Sequence, residues 1–255
     1  MQAKTVLFIR SLIFNIAFYL VLIIYMMFAI VTFFLPPIAI VRVAQFWSRT
    51  MIWQLRVICN IRVEYRGLEK IPRGPLMVAA KHQSAWETIA LLQHFDFPLF
   101  ILKRELTWLP LFGWFLVKAR MIPVNRKAGA RAMKGMTELA RERIVTGRQL
   151  IIFPEGTRRT VDAPPDYRFG VAQIYADCGV PCLPVALNSG LFWPRRTFLR
   201  YPGTVLVEFL DVIPPGLTPK EFLERISAAI EESTDRLVAE GRREQRALGV
   251  TSPLL

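Results

Sequence analysis

The stretch PLMVAAKHQSAWETIALLQH, residues 75–94, decides the fold class of this 255-residue chain. It opens with a short apolar run at 75–81 that is bounded by turn residues and has the length of a buried β-strand. A helix-like segment follows directly, over about 84–94. A strand that leads at once into a helix is the repeating unit of α/β domains, so the stretch predicts that class.

The same alternation continues on both sides of the opening stretch. Further apolar runs predict strands at 61–67, 98–103, 119–125, 148–154, 181–187 and 204–210. Helix-like segments lie at about 108–117, 127–146, 168–178 and 218–247. The pattern predicts an α/β domain with a mixed, largely parallel sheet flanked by helices. In such sheets ligands bind outside the carboxyl ends of the strands, so residues directly after the predicted strands are candidates for the site.

The beginning of the chain has a different character. Residues 11–41 contain no charged residue, and about 20 apolar residues suffice to span a bilayer. The run lacks the small-residue cleavage site of a signal peptide. Pro36 and Pro37 end or kink the first helix. We therefore predict a membrane-embedded helical hairpin that dips into one leaflet, with a single full span as the alternative.

The basic residues of this segment indicate that it lies at a membrane surface. The first 60 residues contain no Asp or Glu, and their basic residues are Lys4, Arg10, Arg42, Arg49 and Arg56. Near an anionic leaflet each is worth about 1 kcal/mol. The net charge of +13 also suits phosphorylated substrates or nucleic acid. Because the chain has no zinc spacing and no RNA-binding signature, we expect no nucleic-acid partner.

The sequence thus divides into three parts. Residues 1–58 form the membrane-anchoring helical segment, 59–247 the α/β domain and 248–255 a C-terminal tail. The three cysteines, Cys59, Cys178 and Cys182, have neither disulfide-framework nor metal spacing. We expect free thiols in a reducing compartment and no metal site.

Two residues of the opening stretch have the chemistry of a general base and its partner. His82 lies at the strand-to-helix turn, and Glu87 follows five residues later. A carboxylate at this offset can fold back onto one imidazole nitrogen and stabilise the imidazolium that forms when the other nitrogen accepts a proton. Alternatively, Glu87 simply occupies the first turn of a helix, which favours acidic residues. His94, the other histidine, has no suitably spaced acid, so we expect a structural role.

A second motif is IIFPEGTRRT, residues 151–160, where a strand ends in a turn with a carboxylate and a cation. Gly156 permits an unusual backbone conformation or the close approach of a ligand. Thr157 and the backbone amides can donate to phosphate oxygens, and Arg158 can bind a phosphate through two hydrogen bonds. The alternative is an ordinary turn with a surface arginine.

Taken together, these stretches resemble the motifs of the glycerolipid acyltransferase family, typified by bacterial 1-acyl-sn-glycerol-3-phosphate acyltransferases. KHQSAWE is similar to the first motif, Asn-His-x-x-x-x-Asp, and FPEGTR matches the third. KRELTWLPLFGWFLVKARMIPVNR (103–126) is similar to the second, and VPCLPVALNSG (180–190) to the fourth. The chain departs from the family at two positions, where Lys81 replaces the usual Asn and Glu87 the usual Asp.

The resemblance implies a glycerol-3-phosphate acyltransferase-like fold and an acyl transfer without an acyl-enzyme. His82 would deprotonate the sn-2 hydroxyl of lysophosphatidic acid, which attacks the thioester of acyl-CoA or acyl carrier protein and gives phosphatidic acid. Glu87 would orient His82. The glycerol phosphate would be held by Lys103, Arg126, Glu155, Gly156, Thr157 and Arg158.

The resemblance also implies that no metal or cofactor takes part beyond the acyl thioester co-substrate. Membrane lipids, lysophosphatidic acid and the acyl donor are the expected partners. The expected location is the cell membrane, which is the inner membrane of a bacterium, with the catalytic domain on the cytoplasmic side.

Three other functions stay open at this point. The acceptor could be lyso-ornithine lipid or another lysophospholipid, since the motifs do not separate these. A membrane hydrolase or thioesterase would need a nucleophile, and the chain contains no Gly-x-Ser-x-Gly elbow. A non-catalytic membrane protein would tolerate the loss of His82.

Overall fold

The computed structural model describes the backbone of residues 2–125 and 129–250 and the side chains of residues 4–125 and 133–250. Arg126, one of the residues expected to hold the glycerol phosphate, lies outside the described residues. So do residues 251–255, which make up most of the predicted tail.

The described strands form one mixed sheet. They are β1 (Ile61–Arg66), β2 (Leu76–Ala80), β3 (Pro98–Lys103), β4 (Ile122–Val124), β5 (Gln149–Ile152), β6 (Cys182–Leu187) and β7 (Gly203–Phe209). Their spatial order is β1-β7-β6-β2-β5-β3-β4. Neighbouring strands run parallel except for the antiparallel pair β6 and β7. The predicted mixed, largely parallel sheet is therefore confirmed, and each predicted strand overlaps one of these.

The described helices also follow the predicted alternation. They are α1 (Gln2–Ala29), α2 (Pro37–Cys59), α3 (Trp86–Ala90), α4 (Phe112–Lys118), α5 (Gly129–Ile144), α6 (Phe169–Cys178) and α7 (Pro219–Ala247). α7 begins with a capping box in which the side chains of Thr218 and Glu221 bond each other's backbone N–H groups.

Two predicted segments are divided more finely than the sequence pattern indicates. The segment at 84–94 continues beyond α3 as the 3₁₀ helix Leu91–His94. The segment at 108–117 is preceded by the 3₁₀ helix Arg104–Trp108, and α4 begins only at Phe112. Gly113 allows this sharp turn, because a Cβ there would lie 2.2 Å from the carbonyl oxygen of Thr107.

Residues of β2 point alternately to the two faces of the sheet. Leu76, Val78 and Ala80 belong to a core that also contains residues of α1, α2 and α3. Met77 and Ala79 belong to the opposite core, against α5, α6 and α7. All five side chains are fully buried, as expected for a central parallel strand covered on both faces.

The N-terminal helices form the predicted hairpin. α1 and α2 run antiparallel, with the Tyr25 hydroxyl 2.8 Å from Thr50 Oγ1. α2 has Pro37 in its first turn, which suits the fixed φ of proline. Phe14 of α1 and Met51 of α2 are buried in the core shared with the sheet. Because the hairpin and the sheet share this core, the division into an anchor (1–58) and a separate domain (59–247) stays a prediction.

One face of α1 is open and apolar along its length. The segment Lys4–Phe34 is long and apolar enough to cross a membrane, by length and composition alone. Its large exposed side chains include Ile16, Ile23 and Phe28. An apolar surface of this extent marks a contact with a partner or with lipid.

Candidate active site

The carboxyl ends of four neighbouring strands meet at one edge of the sheet. β6, β2, β5 and β3 are adjacent and mutually parallel. Ser189, His82 and Glu155 follow β6, β2 and β5 respectively, and Lys103 is the last residue of β3. The topology therefore gathers residues that lie far apart in the sequence, as expected for the binding edge of an open parallel sheet.

The structure brings His82 and Glu87 together. The carboxylate oxygen Oε1 of Glu87 lies 2.8 Å from His82 Nδ1. The same oxygen accepts hydrogen bonds from the backbone N–H groups of Gln83 at 2.8 Å and Ser84 at 2.7 Å. Its other oxygen, Oε2, accepts from Ser189 Oγ at 2.8 Å. Four donors thus fix a fully buried carboxylate, and the glutamate reaches the imidazole although the family usually has the shorter aspartate.

The His82 ring presents one nitrogen for chemistry. Its face stacks on Phe153 with a centroid separation of 3.9 Å, and its side chain is 12% exposed. With Nδ1 held by the Glu87 carboxylate, Nδ1 carries the proton and Nε2 is the nitrogen that can accept one. This is the geometry that a general base requires.

Two residues of the turn segment 153–159, which contains the FPEGTR motif, bond the backbone of His82. Its N–H donates to Glu155 Oε2 at 3.0 Å, and its carbonyl accepts from the Arg159 N–H at 2.8 Å. Glu155 is 1% exposed, so its carboxylate faces the protein interior instead of solvent. Burial raises the pKa of the Glu155 carboxyl above its usual range, and the nearby Lys81 ammonium works against this rise.

Lys81, the residue before His82, is a buried cation. Its Nζ lies 2.6 Å from Glu231 Oε1 of α7 and 3.0 Å from Glu155 Oε1. The first contact is an aligned hydrogen bond. The second is a charge contact only, since Glu155 Oε1 has no hydrogen-bond partner within the described residues. The Tyr167 hydroxyl also donates to Glu231 Oε1, at 2.7 Å.

The residues expected to bind phosphate lie on the open side of the same turn. Gly156 adopts a left-handed backbone conformation with φ of +65°, which glycine accepts without strain. Thr157 and Arg158 are exposed, and so is Lys103 at the end of β3. The Arg158 guanidinium makes no ion pair with any residue in the described ranges.

Comparisons with known proteins show the family to which the chain belongs. The family model described as Acyltransferase matches residues 62–188. The 1-acyl-sn-glycerol-3-phosphate acyltransferase of Pseudomonas aeruginosa is 36% identical over 214 residues, which cover 82% of this chain and 82% of that protein. The chain belongs to the acyltransferase family. The predicted family is thereby confirmed, and the protein is an enzyme.

More distant acyltransferases share the same region and fold. The human 1-acyl-sn-glycerol-3-phosphate acyltransferase alpha is 28% identical over 177 residues, covering 68% of this chain and 62% of the human protein. The crystal structure of the 1-acyl-sn-glycerophosphate (LPA) acyltransferase PlsC from Thermotoga maritima superposes with a TM-score of 0.74 at 22% identity. It covers 90% of this chain and 97% of that one, so the two folds are the same.

Four further residues surround the His82–Glu87 pair and Lys81 without a sequence pattern that gave them a role: Phe153, Tyr167, Ser189 and Glu231. Ser189 lies two residues after a predicted strand, so the carboxyl-end rule could have found it. Glu231 lies on α7, 150 positions from Lys81, and no local pattern marks it. The fourth motif contains Pro184, which lies inside β6 opposite Ala79. Ser189, at the end of the same motif, lies beyond the strand and is the residue that contacts Glu87.

The other histidine and the thiols lie away from this arrangement. His94 contacts Tyr65 edge-on at 4.2 Å, and burial lowers the pKa of His94 to about 4, which suits a neutral structural residue. The cysteines are free, as predicted. Burial raises the thiol pKa of Cys59 to about 12 and that of Cys178 to about 11, so neither is an activated nucleophile.

Proposed function

We propose that this acyltransferase transfers an acyl chain from acyl-CoA or acyl carrier protein to the sn-2 hydroxyl of lysophosphatidic acid, giving phosphatidic acid. The observation that carries the proposal is the His82–Glu87 pair, with Nε2 open at the carboxyl edge of the sheet. The acceptor is supported by the P. aeruginosa relative, whose name specifies 1-acyl-sn-glycerol-3-phosphate.

The reaction needs no protein nucleophile. His82 Nε2 takes the proton of the sn-2 hydroxyl as its oxygen attacks the thioester carbonyl. Glu87 stabilises the imidazolium, because its negative charge lies 2.8 Å from Nδ1. When the tetrahedral intermediate collapses, the carbon–sulfur bond breaks and the thiolate leaves with the proton from Nε2. An ester and a free thiol result, and the base is restored.

Phosphate recognition falls to the exposed side of the FPEGTR turn. We assign the phosphate contacts to Arg158, Thr157 and the backbone at Gly156, together with Lys103 and Arg126. Glu155 has a different role in this proposal. Its buried carboxylate is held by Lys81 and the His82 N–H, so it positions the base and does not touch the acceptor.

The acceptor assignment is tested with purified enzyme in mixed micelles, labelled acyl-CoA or acyl carrier protein, and separate lysolipids. We expect labelled phosphatidic acid from lysophosphatidic acid, and little product from lyso-ornithine lipid or lysophosphatidylcholine. Arg158→Ala should raise the KM for lysophosphatidic acid about 10- to 100-fold, the range for losing a hydrogen bond to a charged group. Arg62→Ala, at an exposed arginine of edge strand β1, is the matched control. Equal transfer to all lysolipids would contradict the acceptor assignment, and an unchanged KM would remove Arg158 from the phosphate site.

We further propose that the hairpin lies within one leaflet of the inner membrane, with the sheet on the cytoplasmic side. Both ends of α1 are attached to the catalytic part of the chain. Near its start, Ser11 Oγ accepts from the Arg200 N–H at 2.9 Å. Beyond its end, Phe33 stacks on Phe115 of α4 at 5.1 Å. A perpendicular span would carry these attached segments into the hydrocarbon core, where exposed polar backbone is costly.

Replacing two exposed residues of α1 should detach the enzyme from lipid. Ile16→Glu with Ile23→Glu places two carboxylates on the open face of the helix. We expect co-sedimentation with vesicles that contain anionic lipid to fall about tenfold or more, since one charge inside a bilayer costs about 2.5 to 3.5 kcal/mol even on the mildest scale. Val145→Glu, an equally exposed apolar position after α5, is the control. Unchanged sedimentation of a folded double variant would contradict the placement of α1.

A further inference from the structure

We propose that Lys81 is a positioning residue for acyl transfer: it keeps Glu155 ionised beneath the His82 loop and ties that loop to α7 through Glu231. The inference rests on the proposed function, because it concerns the same base. Lys81 stands at a position where this chain departs from its family. The usual residue there is a short, neutral asparagine, whereas Lys81 carries a charge that must be matched inside the protein.

The contacts of Lys81 join three separate parts of the fold. Lys81 follows β2 and is 2% exposed, so its ammonium has almost no access to water. It pairs with Glu155 after β5 at 3.0 Å and with Glu231 of α7 at 2.6 Å. The aromatic ring of Tyr167, in the segment before α6, lies 5.9 Å from the same nitrogen. A displacement of α7 would therefore act on the residue next to the base.

The charge of Lys81 determines whether the Glu155 carboxyl is ionised. The groups that face Glu155 are the Lys81 ammonium, the Glu231 carboxylate, the Tyr167 hydroxyl and the N–H of His82. Of these, the Lys81 ammonium is the one cation. Without it, a nearly fully buried carboxyl would lie close to a second carboxylate, and both burial and repulsion would favour its neutral form.

The ionised form matters for the base through a single hydrogen bond. Glu155 Oε2 accepts from the His82 N–H, and a charged acceptor makes a shorter and stronger bond than a neutral one. The backbone of His82 is otherwise held in this turn by the bond from the Arg159 N–H to its carbonyl. Lys81 thus acts on catalysis through Glu155 and touches neither substrate nor proton.

Lys81→Met tests the proposal, because methionine has a similar length and no charge. In the transfer assay we expect kcat/KM at neutral pH to fall about tenfold, within the range for weakening a charged hydrogen bond. The loss should be larger at acid pH than at alkaline pH, because the neighbouring opposite charge that favours the ionised carboxylate is gone. The sign follows from Glu155: removal of the cation raises its pKa, so the ionised form is present only at higher pH.

A second substitution separates positioning from packing. In Lys81→Met with Glu155→Gln, the amide oxygen can accept from the His82 N–H at every pH and needs no counter-charge. We expect the extra loss at acid pH to vanish and most of the lost kcat/KM to return. A loss that is equal at every pH and is not repaired by Glu155→Gln would show a merely structural lysine and overturn the proposal. Parent-like kcat/KM in Lys81→Met across the profile would overturn it too.

Hydrogen–deuterium exchange provides a readout that does not need the reaction. The His82 amide should exchange faster in Lys81→Met than in the parent, most clearly at low pH, and should be protected again in the double variant. If the parent transfers no acyl chain, the proposed function fails while this measurement still decides the role of Lys81. If the amide exchanges equally in all three proteins, the link from Lys81 to His82 is wrong.

Discussion

His82→Ala should lower kcat/KM for acyl transfer to lysophosphatidic acid by about 10²- to 10⁴-fold, the contribution of a positioned general base. The reason is geometric. Glu87 holds Nδ1 at 2.8 Å and the ring is stacked on Phe153, so Nε2 is directed to the open edge of the sheet. Removing the imidazole leaves the acceptor hydroxyl without a base. The KM for lysophosphatidic acid should change little, because the proposed phosphate contacts lie on the FPEGTR turn.

The second histidine supplies a matched control. His94→Gln removes an imidazole of the same size, which contacts Tyr65 and Phe209 and not Glu87. We expect it to lower thermal stability and to leave kcat/KM of the folded enzyme near the parent value. The measurement is initial-rate kinetics on both variants, with folding checked by circular dichroism. Near-parent transfer by His82→Ala would contradict the mechanism, because the enzyme would then work without this base.

The fold could be predicted because its signals are local. Each strand is a short apolar run bounded by turn residues, and β2 is buried on both faces, so its sequence reads as continuously apolar. The limits of the prediction are also local. The strand predicted at 119–125 is only Ile122–Val124, because α4 extends to Lys118 and Arg120 adopts a positive φ of 53° where the helix ends. Hydropathy does not record such backbone reversals.

The site could be predicted only where one motif contains both partners. His82 and Glu87 lie within a single turn, so their contact follows from spacing. The resemblance implies that Glu155 holds the glycerol phosphate, whereas its carboxylate is buried against Lys81 and the His82 N–H, and a single sequence gives no measure of such burial. Glu231 reaches Lys81 from α7 through tertiary packing, which a single sequence does not encode as a pattern. Buried charge networks of this kind need coordinates.

Glu87→Gln is expected to lower kcat by about 10²- to 10⁴-fold, comparable to the loss when the acid that supports a catalytic histidine becomes an amide. The substitution isolates charge from shape. The amide oxygen can still accept from His82 Nδ1 and from the N–H groups of Gln83 and Ser84, while its NH₂ group can donate to Ser189 Oγ. The loop keeps its hydrogen bonds, but the imidazolium loses the negative charge that stabilises it.

Glu87→Asp distinguishes this role from simple occupation of the first helical turn. Aspartate is the family's usual residue, yet it is one methylene shorter, and here the backbone is set for a glutamate that reaches Nδ1 at 2.8 Å. We expect Glu87→Asp to retain more kcat than Glu87→Gln, because it keeps the charge at a less favourable distance. If Glu87 only satisfied the helix start, both variants would change thermal stability and leave kcat near the parent value. Stopped assays and thermal unfolding on the same preparations separate the two cases, since support of the base appears in kcat and capping appears in the unfolding temperature.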